Sequence, residues 1–249
     1  IPKNAIQDRV IKPTDEELEK EYKKNKDDFE EPEKRHLSIV SWQKKPTFED
    51  TVRTKQEALE LINEYKDGSD FSNLANIHTQ DPGNRFSADS SKGGDLGWFG
   101  KGQMLKEFET AAFKARRGSV VGPVLTQFGY HIIKVDSVRN RNKDNHQIKA
   151  RHILLNIELG QKSRTDLRRK ATLFSYDAQD YGLSAALDSH NVTIQKALNI
   201  KEGDFFIPQI GPFRSAVRWA FNSKANSVSE PLETESFYAY FSTPGWKTG

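Results

Sequence analysis

The residues of this chain that could orient protons are few. His131 sits on a short apolar strand (GYHIIKV) closing the run 93–135, which opens in a glycine-rich turn and passes through Gln103-Met104 into an amphipathic segment carrying Phe108. His36 opens an alternating stretch, HLSIVSW, that reads as a strand. Asp81 begins an Asp-Pro-Gly turn, and Thr126 precedes the strand of His131. Two neutral imidazoles can share a proton, fix each other's tautomer and tune a nearby carboxylate or hydroxyl. Each residue also has a plainer role: histidines on apolar strands are usually satisfied core residues, and Asp81-Pro82-Gly83 is a good turn whatever the function. Met104 and Phe108 have core spacing, but Met104, the only methionine, lies in a Gly-Gln-Met turn suited to lining a surface pocket. His78, His146 and His190 have no such company, and no pair has metal-ligand spacing.

Composition narrows the classes. The 249 residues suffice for two ordinary domains, and 35% hydrophobic with 29% charged residues is globular rather than disordered. A net charge of +3 gives no electrostatic reason to invoke nucleic acid, and the densest basic run, 164–170, reads as a solvated helix face. The absence of cysteine excludes disulfides, thiol catalysis and cysteine-ligated metals, and it suits an oxidising compartment. No apolar run approaches the length of a membrane span, and the start at Ile1 reads as that of a processed or excised chain.

These residues need elements to hold them. Thr14 with Glu17 predicts a capped, highly charged helix whose thin stripe of Leu18, Tyr22 and Phe29 must dock on a neighbour. Helical spacing is expected over 54–66 and 70–78, a polar loop follows Asp81, and 136–147 reads as a linker. At Lys149 the pattern restarts: Ala150-Arg151-His152-Ile153 echoes Lys34-Arg35-His36-Leu37. A helical segment over 163–189 and a strand over 192–197 follow. Ala112-Phe113, Ser119-Val120, Pro123 and Thr126 then recur, 108 positions on, as Ala220-Phe221, Ser227-Val228, Pro231 and Thr234. The chain therefore reads as two copies of one α+β fold. In the second copy Ala239 stands for His131, Ala216 for Phe108 and Pro212 for Met104, which leaves His152 without a partner.

The order GGDLGWF, GQM with a phenylalanine four residues on, GPV, and a Gly-aromatic-His-Ile strand resembles the parvulin family of peptidyl-prolyl cis/trans isomerases, over about 35–138. The resemblance implies a four-stranded antiparallel sheet covered by helices, with opening and closing strands adjacent so that His36 meets His131. It implies a proline pocket of Leu96, Met104, Phe108 and Phe128, with Asp81 and Thr126 completing a polar network and Asp89 a rival for the acidic place. No cofactor is required. The expected organisation is an N-terminal helical segment (1–34), an isomerase domain (35–138), a linker (139–148) and a degenerate parvulin-like domain (149–249). The tandem layout resembles bacterial cell-envelope foldases of the PpiD and SurA type. That implies unfolded, proline-containing client proteins, a periplasmic or other extracytoplasmic location, an upstream membrane anchor and room for a homodimer. The alternative is a holdase that grips peptide without turnover.

Overall fold

A computed structural model describes residues 13–26, 32–84, 92–141 and 143–244. Asp89, the rival acid, and Phe29 lie outside them. The chain forms two compact units, one of 41–176 with 233–238, the other of 1–40, 177–232 and 239–249. These bounds differ from the division at 139–148 expected from the sequence. The stretch read as a linker is a hairpin, in which β4 (Gly129–Arg139) turns through seven residues into β5 (Gln147–Leu155).

The first unit is built on the antiparallel sheet β2-β5-β4-β3, where β2 is Asp95–Gly100 and β3 is Val120–Thr126. Alternation along β4 and β5 divides the core into two layers. On one face Tyr130, Ile132, Ile153 and Leu155 pack under Ala58, Leu61 and Ile62 of α2 (Phe48–Lys66) and Phe71, Leu74 and Ala75 of α3 (Phe71–His78). On the other, Ile133, Val135, Ile148 and Ala150 meet Phe99 of β2 and Phe108 and Ala112 of α4 (Lys106–Lys114). His131 and His152 fall on this second face, because they keep step with Ile133 and Ala150.

Helix α2 starts earlier than its apolar spacing predicts because Thr47 and Asp50 form a capping box. Asp50, 2% exposed, also accepts the Gly160 N–H at 2.9 Å and faces the Arg53 guanidinium at 3.1 Å. Burial opposes its charge, but the N–H groups of Thr47 and Gly160 and the hydroxyls of Ser163 and Thr47 bring its carboxyl down to about 2. Asp50→Ala is expected to cost about 2 kcal/mol, since it removes a cap and strands buried donors. A urea midpoint unchanged from the parent would refute that account.

The other unit carries most of the sheet β6-β1-β10-β9, formed by β6 (Gln195–Lys201), β1 (Lys34–Gln43), β10 (Phe237–Ser242) and β9 (Leu232–Glu233), and a two-stranded sheet of β7 (Phe206–Ile207) and β8 (Gly211–Pro212). The expected long helix is two, α5 (Gln161–Asp180), most of which belongs to the first unit, and α6 (Leu183–His190), parted at Gly182 with φ of +88°. Helix α7 (Arg214–Asn222) matches α4 in length, and its first residue lies 108 positions later. Helix α1 (Asp15–Lys24) has its Thr14–Glu17 capping box, and Leu18 and Tyr22 are about half exposed.

The Arg-His strand of the first copy is therefore not beside β4. Strand β1 pairs with β6, and the place beside β4 belongs to β5. Loop entropy favours this pairing: the seven-residue β4–β5 turn replaces about 85 residues between β1 and β4, and after the longer connection from β1 to β10 is counted the net gain is about 1 kcal/mol.

Candidate active site

The two histidines that meet are His131 and His152. In the β4–β5 register His131 stands opposite Leu154 and His152 opposite Ile133, so the rings are diagonal neighbours on one face. Their Nδ1 atoms are 3.3 Å apart and their planes incline by 21°. Phe108 of α4 meets both edge-on, with centroids at 5.3 and 5.8 Å.

Asp81 reaches this pair because its segment is strapped along β5. Thr79 Oγ1 accepts the Leu154 N–H, the Gln80 N–H donates to the Leu154 carbonyl at 2.8 Å, and Gln80 Oε1 accepts the Asn156 N–H. The carboxylate then lies 2.7 Å from His152 Nε2. Its other donors are the Gly83 N–H and the Asn84 amide, each at 2.9 Å. On the far side Thr126 Oγ1 is 2.8 Å from His131 Nε2 and accepts the Phe128 N–H. The glycine-rich turn is seated by β5 as well. Gly94 accepts the His152 N–H at 2.9 Å, and with φ of +77° a Cβ there would fall 2.4 Å from the His152 carbonyl oxygen.

A carboxylate only accepts, so it sets the direction of the whole chain. His152 donates from Nε2 to Asp81, leaving its Nδ1 to accept from His131 Nδ1–H. That leaves His131 Nε2 to accept the Thr126 hydroxyl proton. Every member is satisfied with both rings neutral. The electrostatics agree: burial, then the neighbouring His152, bring His131 down to about 4, although Asp81 pulls it upward. His152 is lowered chiefly by burial against the opposing pull of Asp81. Burial works against the Asp81 carboxylate, yet donation from Asn84, Gly83 and His152 holds it below its ordinary range.

Above this chain opens a cavity of about 210 Å³ lined by Leu96, Met104, Leu105, Phe108, Phe128 and Leu154, with Asp81, His131 and His152 at its base. A larger groove of about 650 Å³ along α2 mixes the carboxylates of Glu57, Glu60, Glu64 and Glu158 with Leu61, Ile77, Leu155 and Leu159.

Of the residues expected at a site, the structure brings together Asp81, Thr126, His131, Leu96, Met104, Phe108 and Phe128. It does not bring His36, whose half-buried ring accepts the Asn199 N–H at 3.1 Å at a bulge in the β1–β6 pairing. The expectation fails because β5 occupies the place beside β4, and His152, read as partnerless, takes the position. The signal for it was already visible in the repeated Arg-His. Leu105 and Leu154 are further lining residues. His190 is paired with Asp177 at 2.6 Å, and His146 meets Phe113 edge-on. Among the described residues no His/Asp/Glu group could hold a metal ion, and no helix is long and apolar enough to cross a membrane.

Residues 36–137 match the family model described as Rotamase, the PPIC-type PPIASE domain. Foldase protein PrsA of Geobacillus kaustophilus (strain HTA426) is 47% identical over 94 residues, 38% of this chain and 32% of that protein. Foldase protein PrsA of Geobacillus sp. (strain WCH70) is 42% identical over 133 residues, 53% of this chain and 40% of that protein. The chain thus spans about a third to two-fifths of these relatives' length. They bear the name PrsA rather than PpiD or SurA, which moves the resemblance to a different branch of parvulin-type foldases. A crystal structure of PrsA from Bacillus subtilis aligns over 86% of this chain and 62% of that one at 22% identity, but its TM-score of 0.26 carries no argument about fold. The matched segment begins at His36 and ends before β5.

Proposed function

We propose that this protein, with a PPIC-type segment over 36–137, is a peptidyl-prolyl cis/trans isomerase that assists the folding of proteins outside the cytoplasm. The observation that carries the reading is the chain Asp81–His152–His131–Thr126 at the base of an apolar cavity. An X-Pro bond keeps a rotation barrier of ~18–20 kcal/mol, and its exchange takes tens of seconds or more unaided. At the transition state the amide has lost resonance, so its carbonyl is less polar and its nitrogen more basic. A dry pocket favours that twisted, less polar form over the planar one. In this reading Leu96, Met104, Phe108, Phe128 and Leu154 grip the proline ring. The Asp81 carboxylate supplies a fixed field that acts differently on the two forms. His152 and His131 orient it and, being neutral, keep the base of the pocket free of positive charge. Thr126 anchors the far end. No nucleophile is needed.

The cysteine-free composition supports clients in an oxidising compartment. For the remainder of the chain we propose a degenerate second parvulin-like fold, supported by the shared 108-residue offset of α4 and α7 and by the like arrangement of the two four-stranded sheets.

The test is cis/trans exchange of a short X-Pro peptide followed by NMR exchange spectroscopy, with the Met104 methyl as a unique reporter of binding. The intact chain should accelerate exchange and shift that methyl, and folded His131→Ala should lose roughly 10- to 100-fold of the acceleration. Binding without acceleration by the intact chain would favour a second reading, a chaperone that only grips peptide. That reading has its own support in the exposed Leu198, Phe205 and Phe206 of the other unit.

A further inference from the structure

Two strands of this chain carry the same Arg-His pattern, and each holds the same rank in a sheet. The orders are β2-β5-β4-β3 and β6-β1-β10-β9: an edge strand, an Arg-His strand, a closing strand and that strand's outer neighbour. Closing strands β4 and β10 begin 108 positions apart, Gly129 against Phe237, as the repeat requires. The Arg-His strands are crossed with respect to the repeat. Strand β1 of the first copy stands beside β10 of the second, and β5 of the second stands beside β4 of the first. The family match starts at His36 and leaves β5 out, so the segment that resembles an isomerase includes a strand that sits elsewhere.

We infer that β1 and β5 are interchangeable occupants of the place beside β4, and that the occupant sets the character of the pocket. Aligning the two histidines puts Arg35 in the place of Arg151, Leu37 in that of Ile153, Ile39 in that of Leu155, and Ser38 in that of Leu154. The first three exchanges conserve charge or apolar character. Arg35 would face Asp136, which Arg151 meets at 3.0 Å, and Leu37 and Ile39 would enter the layer under α2 and α3. The backbone bonds that Thr79 and Gln80 make to Leu154 require no particular side chain there. The fourth exchange is different, because Leu154 lines the cavity. With β1 in place the four-member chain would run Asp81–His36–His131–Thr126 beneath a wall that presents a hydroxyl instead of a leucine. The same site would then hold proline less tightly. This functional consequence rests on the isomerase reading, whereas the exchange itself does not.

The chain has no cysteine, so engineered pairs report strand position without background. In the full-length chain, K134C/R151C joins residues that face each other across β4 and β5. Facing positions lie within disulfide reach. The pair K134C/R35C reports β1 in that place, and K106C/R35C serves as a collision control. After refolding from urea under mild oxidation, with native circular dichroism confirmed, K134C/R151C should close in nearly all molecules. K134C/R35C should close within single chains several-fold more than the control. Closure of K134C/R35C no greater than the control overturns the inference, whatever the catalytic result. Molecules locked by K134C/R35C should show a several-fold higher KM for an X-Pro peptide, restored by adding Ser38→Leu. An unchanged KM in the locked form would remove the assigned role of Leu154.

Discussion

Replacing His152 by alanine is expected to lower X-Pro exchange by roughly 10- to 100-fold, while His36→Ala leaves it within about twofold. His152 joins the carboxylate of Asp81, 2.7 Å from its Nε2, to His131, 3.3 Å from its Nδ1. Its loss leaves the His131 Nδ1–H without an acceptor and frees Asp81 to turn toward Gly83, Asn84 and solvent. His36 touches neither group, and its ring instead accepts the Asn199 N–H of β6. Urea midpoints for both variants separate lost chemistry from lost folding. His152→Gln, which can still donate to Asp81, should recover part of the rate. A loss confined to His36→Ala would show that β1, not β5, serves the working site.

Acid should destabilise the protein well above the usual carboxylate range. His131 is 5% exposed and burial holds it at about 4, whereas in the unfolded chain it titrates near its ordinary value of 6.5. Between these values the unfolded state binds the extra proton, so stability is full above about pH 6.5, falls as pH drops toward 4, and loses nothing more from this group below that. At ~1.4 kcal/mol per pH unit the loss is of the order of 3 kcal/mol. His152, also lowered, adds in the same direction, and Asp81 contributes only at more acidic pH, as its depressed carboxyl protonates. Urea midpoints at pH 7, 5.5 and 4 measure the slope, and His131→Phe should flatten it. Equal midpoints at pH 7 and pH 4.5 would be incompatible with a buried neutral pair. Activity should fall over the same interval, because a cationic His131 can no longer accept the Thr126 proton.

How legible this was depended on whether the signal was local. The expected pocket residues Leu96, Met104, Phe108 and Phe128 lie within one ordered run of turn, helix and strand, and the resemblance of that run to the parvulin family is what assigned them. Asp81 was legible once its turn was recognised, although what brings it to β5 is the Thr79 hydroxyl accepting the Leu154 N–H and the Gln80 N–H donating to the Leu154 carbonyl, which no pattern encodes. Partnering of distant strands was not legible. Two strands with the same Arg-His pattern are equivalent to any reading of residue types, and the choice between them turns on loop closure. Residues 139–148 were misread for a related reason: a polar stretch without periodicity describes a hairpin turn as well as a linker.

The short connection between β4 and β5 also orders events in time. A ribosome adds about 5–20 residues per second, so β5 follows β4 into existence within about one to three seconds. A hairpin closes in microseconds. Strand β1, made long before, has β4 to itself only for that brief interval. Lengthening the 140–146 turn would prolong it, and a pause in translation there would do so without changing a single residue.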